Sequence, residues 1–274
     1  MANQNVHLVR MVNMMVLDFH RRRGFTVVII VLLCCCCTRR CISFTPPHRG
    51  ECRFFLDTAD TDEWNSLLPL GIFHGVTTNP TLLERADEPC TVENLHRLAD
   101  EALMRTNEFM CQTWGSNPKE MYDNGMAISR RDRERIVIKV PVTARGAEAA
   151  TMLVESGVRV CLTACYASKQ ALVAASIGVE YIAPYLGRMN DNGKDGFDEC
   201  ARMQSIVDGL GSETRILVAS LRDADTLADL AAEGLDTYTF SPAVARELFD
   251  EPLTDDAAAQ FEEAAAKGGT NSFA

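Results

Sequence analysis

From residue 53 onward the chain alternates between two textures. Short apolar runs, rich in β-branched and aromatic residues, are each followed by a longer stretch in which apolar positions recur every three or four residues. The runs predict strands at 54–57, 75–78, 108–112, 136–140, 158–163, 181–185, 216–220 and 237–240. Helices are expected between them, among them 147–155, 168–176, 198–207 and 224–233, with Gly157, Gly178, Gly209 and Gly234 at the positions that close a helix. Strands apolar on both faces belong to a parallel sheet covered by helices. Eight βα units in about 220 residues predict the α/β class and a compact (β/α)8 barrel of the TIM type, in a single domain. The runner-up is a doubly wound open sheet, and no G-x-G-x-x-G supports it.

Residues 1–52 break this pattern. Arg21, Arg22 and Arg23 precede an apolar stretch over 25–37, and Arg39, Arg40 and the turn-forming Thr45-Pro46-Pro47 follow it. A basic flank, a short apolar core and a polar exit are the layout of a targeting segment. The stretch is shorter than the ~20 residues that span a bilayer. The expected organisation is therefore a non-globular leader over 1–52 and one barrel over 53–274. The basic, Ser/Thr- and Pro-containing stretch behind the apolar core fits an organelle-directed, plastid-like signal. The alternatives are the secretory pathway, a short membrane anchor, or a cytoplasmic chain that starts at Met11, Met14 or Met15.

Charge divides the chain at the same place. Residues 1–50 hold seven arginines and one acid, Asp18, for a net +6, so with −11 overall the remainder carries −17. An acidic domain is a poor partner for nucleic acid, and none is expected; nor is a membrane partner for the mature domain. Five of the eleven cysteines, Cys34, Cys35, Cys36, Cys37 and Cys41, lie in the leader. The others, Cys52, Cys90, Cys111, Cys161, Cys165 and Cys200, are scattered, without Cys-x-x-Cys pairs or Cys/His ligand spacing. They are expected to be buried small hydrophobes, not a metal site or a disulfide framework, which favours a reducing final compartment.

In a barrel of this type chemistry gathers at the C-terminal ends of the strands. Polar groups stand at every expected strand end: Asp57; Thr77, Thr78 and Asn79; Gln112; Lys139; Thr163; Tyr185 and Arg188; Ser220 and Arg222; Ser241. Lys139 is the most informative of them. It interrupts the apolar run Ile136-Val137-Ile138-Lys139-Val140, whereas Lys119, Lys169, Lys194 and Lys267 have polar, turn or helical surroundings. Lysine is rarely buried without a reason, and burial favours the neutral amine, which is a nucleophile. The plainer alternative is a strand-end lysine that reaches solvent.

These residues occur within longer motifs. Phe55-Leu56-Asp57-Thr58-Ala59, Gly75-Val76-Thr77-Thr78-Asn79-Pro80, Ile138-Lys139-Val140-Pro141-Val142-Thr143, Ala183-Pro184-Tyr185-Leu186-Gly187-Arg188 and Val218-Ala219-Ser220-Leu221-Arg222 follow one another in order. Together they resemble the transaldolase family over essentially all of 53–274, most closely its small members, the fructose-6-phosphate aldolases and short transaldolases. The resemblance implies a (β/α)8 barrel with Schiff-base aldol chemistry on sugar phosphates and no metal or organic cofactor. It implies that Lys139 is the Schiff-base lysine and that Asp57 transfers the proton at the hydroxyl whose C–C bond breaks. Asn79, with Thr78 beside it, would orient the substrate, and Thr163 would help to hold a catalytic water. Arg188, Ser220 and Arg222 would clamp the phosphate, whose geometry suits guanidinium forks. It also implies a homo-oligomer in which the C-terminal helical tail, with Phe261 as its main apolar anchor, packs on a neighbour.

Two positions bear on the branch within the family. By the resemblance, transaldolases carry Glu at the end of the third strand and Phe in the sixth-strand motif, and the aldolases carry Gln and Tyr. This chain has Gln112 and Tyr185, so the aldolase branch is favoured. Gly187 stands where those aldolases have Asn, and 114–133 departs from them, which keeps the transaldolase alternative open. A non-catalytic sugar-phosphate-binding barrel is the alternative of another class. A barrel of the deoxyribose-phosphate aldolase type is a further one, against which the Gly-Val-Thr-Thr-Asn-Pro motif weighs.

Overall fold

The computed structural model describes residues 52–268. The expected leader, apart from its last residue, lies outside the described residues. Within them, eight strands close a parallel barrel in sequence order: β1 Arg53–Asp57, β2 Phe73–Thr77, β3 Glu108–Gln112, β4 Ile136–Pro141, β5 Val160–Cys165, β6 Tyr181–Pro184, β7 Arg215–Val218 and β8 Thr237–Phe240. β8 pairs in parallel with β1, Leu56 opposite Phe240, and this closes the ring. The (β/α)8 reading holds for the described residues, and the open-sheet alternative falls. Among the described residues no helix is long and apolar enough to cross a membrane.

The helices are α1 Thr61–Leu67, α2 Pro80–Arg85, α3 Val92–Leu103, α4 Pro118–Ser129, α5 Ala144–Glu155, α6 Gln170–Ile177, α7 Leu186–Asp191, α8 Gly196–Leu210, α9 Asp225–Ala232, α10 Pro242–Glu247 and α11 Pro252–Gly268. Their starts follow local chemistry. Asp60, Asn79, Thr91, Asn117, Thr143, Asp195 and Ser241 each accept a backbone N–H of the first turn, and Pro follows directly at Asn79, Asn117 and Ser241. One expected stop is corrected: Gly209 lies inside α8, and Gly211, at φ +61°, closes it. The tail helix α11 is exposed over nearly all its length, with Leu253 at 77% and Phe261 at 73%.

Strand alternation sorts the core into two layers. Leu56, Val76, Phe109, Ile138, Val140 and Leu162 face outward and pack with Leu95, Leu98 and Leu153 of the helices. Phe55, Met110, Val137, Cys161, Tyr181, Ala183, Leu217 and Ala219 fill the interior of the barrel. Gly75 makes room for Phe55, because a Cβ there would lie 2.6 Å from the ring. The N-terminal end of the barrel is closed by charge. Glu108 takes Arg159 Nη2 at 2.6 Å and the Tyr181 hydroxyl at 2.9 Å. Arg53 Nη1 lies 3.7 Å from it, and Arg159 also pairs with Glu180. A sequence pattern that reads Glu108 only as the first residue of a strand misses this network.

Candidate active site

The opposite end of the barrel collects the polar residues. Asp57, Gln112, Lys139, Thr163 and Tyr185 each stand two positions beyond an interior residue: Phe55, Met110, Val137, Cys161 and Ala183. Period-two alternation therefore turns all five inward. Register sets Gln112 beside Lys139 across β3 and β4. Lys139 is 3% exposed and forms no salt bridge among the described residues. It is buried where it stands, so the solvent-reaching alternative falls.

Asp57 accepts a hydrogen bond from Thr77 Oγ1 at 2.6 Å, and Thr77 in turn lies 2.5 Å from Thr239 Oγ1. Asp57 has no capping duty, since Asp60 caps α1. Thr77 and Thr239 were not singled out as site residues from sequence. Thr78, which was, is fully buried with no hydrogen-bond partner for its hydroxyl, and its neighbour Thr77 takes the inward position. Asn79 spends its carbonyl oxygen on the N–H groups of Thr81 and Leu82, at 3.0 and 3.1 Å. Its amide nitrogen has no partner among the described residues.

Burial pulls the Lys139 ammonium down in pKa, as the sequence leads one to expect. The negative charge that Tyr185 and Asp57 can supply, and to a lesser degree Cys161 and Cys111, outweighs burial and sets the pKa above the ordinary lysine value. This corrects the expectation of an amine neutralised by its apolar strand. The thiols of Cys111 and Cys161 are pushed up to about 12 by burial, so neither is charged at neutral pH. Cys165 and Cys200 are buried as expected, whereas Cys52 and Cys90 are exposed.

On the far side, Tyr185 OH and Thr163 Oγ1 are 2.9 Å apart. A backbone irregularity follows Thr163. The β5–β6 register shifts between Leu162 and Cys165, and Ala164 sits at φ +56°. A bulge of this kind re-aims the side chains around it. It brings in Tyr166, a residue the sequence reading passed over. The Tyr166 ring meets the Tyr185 ring edge-on at 5.6 Å, and its hydroxyl accepts from Arg188 Nη1 at 3.4 Å. The Arg188 guanidinium lies 5.0 Å over the Tyr185 ring.

Ser220 also takes a left-handed conformation, at φ +59°, beyond the end of β7. Its carbonyl accepts the Gly187 N–H at 3.0 Å. A Cβ at Gly187 would lie 2.2 Å from that carbonyl oxygen and 2.7 Å from Arg222 Nε. Glycine is thus what lets the start of α7, which carries Arg188, close against the Ser220–Arg222 segment. Arg222 is exposed and pairs with Asp191 at 2.7 Å. Two arginines stand on one side of the mouth, and a lysine, a carboxylate and the hydroxyls of Thr77, Thr239, Thr163 and Tyr185 in its floor. That is a floor for carbonyl and proton chemistry, with a cationic rim for an anion.

Comparison with known proteins agrees with this arrangement. The family described as Transaldolase/Fructose-6-phosphate aldolase matches residues 54–272. A protein of Caulobacter vibrioides named "Probable transaldolase" is 33% identical over 209 residues, covering 76% of this chain and 94% of that protein. One of the same name from Chelativorans sp. is 35% identical over 205 residues, covering 74% and 91%. Another from Leptospira biflexa is 32% identical over 214 residues, covering 76% and 95%. Barrel, strand-end residues and sequence match all along the folded region lead to one conclusion: the chain belongs to the transaldolase/fructose-6-phosphate aldolase family and is an enzyme of the aldolase–transferase kind.

Proposed function

We propose that this enzyme cleaves fructose 6-phosphate through a Schiff base on Lys139, yielding a dihydroxyacetone unit and glyceraldehyde 3-phosphate. The observation that carries the reading is Lys139 itself, a buried lysine with no salt-bridge partner among the described residues, facing the interior of the barrel mouth. The minor neutral fraction of the amine, the form that the nearby negative charge disfavours, attacks the ketose carbonyl, the carbonyl oxygen leaves as water, and the resulting iminium draws in the electron pair of the breaking C–C bond. Asp57 accepts the proton from the hydroxyl on the departing aldehyde carbon, with Thr77 fixing the carboxylate through its 2.6 Å hydrogen bond. Asn79 orients the bound fragment, and Gln112 joins Tyr185 in holding a water. Arg188, Ser220 and Arg222 hold the phosphate.

The fate of the three-carbon enamine separates the two branches of the family. The Thr163–Tyr185 pair, 2.9 Å apart, is built to hold a water that protonates the enamine carbon, after which hydrolysis frees dihydroxyacetone. This supports the aldolase branch. Gly187 and the names of the relatives favour the second reading, a transaldolase that passes the fragment to erythrose 4-phosphate. An assay with fructose 6-phosphate, with and without erythrose 4-phosphate, distinguishes them. The aldolase reading expects free dihydroxyacetone without acceptor, and expects Tyr185→Phe to weaken that release more than transfer. Efficient transfer with no acceptor-free cleavage would make the enzyme a transaldolase.

A further inference from the structure

We propose that Tyr166 is a positioning residue of the phosphate clamp: its phenolic oxygen fixes the guanidinium of Arg188 in its place over Tyr185. This rests on the reading of Arg188 as a phosphate ligand. Arg188 is exposed on the short helix α7, and a free arginine side chain has many rotamers to lose on binding. Two contacts restrict it, and both are aromatic. The Tyr185 ring lies beneath the guanidinium at 5.0 Å, and the Tyr166 oxygen takes Nη1 at 3.4 Å. The first is a non-directional cation–π contact, and only the second, a hydrogen bond, fixes one nitrogen of the fork.

Tyr166 is itself held firmly. Its N–H donates to Gln170 Oε1 at 2.9 Å, and its carbonyl accepts from Lys194 Nζ at 2.7 Å. Its ring is braced edge-on against Tyr185. The left-handed Ala164 and the shifted β5–β6 register just before it set the direction in which it projects. Non-glycine residues in that conformation persist only where the surroundings over-determine them. The oxygen of a tyrosine that accepts from arginine keeps its own O–H to donate, so the same hydroxyl can face an anion alongside the guanidinium. At 3.4 Å the contact is at the long end for a hydrogen bond.

The test uses Tyr166→Phe, which keeps the ring packed on Tyr185 and removes only the oxygen, together with Arg188→Ala and the double variant. Each is measured for KM and kcat with fructose 6-phosphate, and for the half-saturating concentration of dihydroxyacetone in borohydride trapping. Tyr166→Phe is expected to raise KM for fructose 6-phosphate roughly two- to tenfold, the range of one ordinary hydrogen bond. Neither kcat nor the dihydroxyacetone value should change. The double variant should bind no worse than Arg188→Ala alone, because the oxygen acts through the guanidinium. If Arg188→Ala raises KM selectively and Tyr166→Phe does not, or if the two effects multiply, the role of Tyr166 is overturned and the clamp stands. If Arg188→Ala weakens both ligands equally or neither, the clamp reading fails and this proposal fails with it.

Discussion

Replacing Glu108 by Gln should destabilise the barrel by an amount that depends on pH. Glu108 is 6% exposed. It receives Arg159 and Tyr181 as hydrogen-bond donors, and His74 Nε2 lies 3.2 Å away, without the alignment of a hydrogen bond. Burial alone would push the carboxyl up; His74 and Arg159 beside it outweigh burial and hold it at about 2, against an ordinary 4.5. The folded value lies below the unfolded one. The stabilisation is therefore complete above pH 4.5 and is lost as pH falls through about 2. A difference of about 2.5 in pKa corresponds to about 3 kcal/mol. Gln keeps the shape and removes the charge, so at pH 7 the variant should be less stable by about 3 kcal/mol, nearer 5 where the arginines are left without their carboxylate. Urea unfolding of both proteins at pH 7, 4.5 and 3 measures the gap. It should hold nearly constant between pH 7 and 4.5 and shrink to roughly half by pH 3, as the unfolded chain's carboxyl takes up its proton while the native one stays largely charged. A gap that is the same at pH 3 as at pH 7 would mean that lost packing, not charge, is the cause.

Two further outcomes follow from the site. Asp57 pushes the Lys139 pKa up, so Asp57→Asn should shift the pH profile of borohydride trapping toward lower pH while C–C cleavage collapses. A profile that stays in place or moves upward would contradict the electrostatic link. Gly187→Ala introduces a methyl group where the Ser220 carbonyl is 2.2 Å away. It should cost about 1–3 kcal/mol of stability by overpacking and raise KM for phosphorylated ketoses; wild-type melting temperature and KM would refute the close approach.

The barrel was legible because its signal is periodic. β3 and β8 match their predicted ends, and the inward turn of Asp57, Gln112, Lys139 and Thr163 follows from strand parity alone. What was not legible depends on contacts between distant segments. The burial of Lys139 could be read from Ile136, Val137 and Ile138, but the carboxylate that opposes its effect comes from β1, three strands away in the chain. The bulge at Ala164 leaves no periodic mark, since alanine is no marker of a left-handed residue, and so Tyr166 was passed over. Thr77 and Thr78 are adjacent and chemically identical. Only the position of β2 in the barrel decides that Thr77 reaches Asp57. Glu108 looked like a strand-leading acid until Arg159, from the turn before β5, and Tyr181, from β6, converged on it.

The central claim is a covalent one, and mass spectrometry tests it directly. Incubation with fructose 6-phosphate and borohydride, followed by peptide mapping, should place a reduced adduct on Lys139 and on none of Lys119, Lys169, Lys194 or Lys267. Lys139→Ala should lose both adduct and turnover while it keeps the fold, and Lys139→Arg should not restore them, because a guanidinium does not become a neutral nucleophile. An adduct on another lysine, or substantial turnover in Lys139→Ala, would contradict the account.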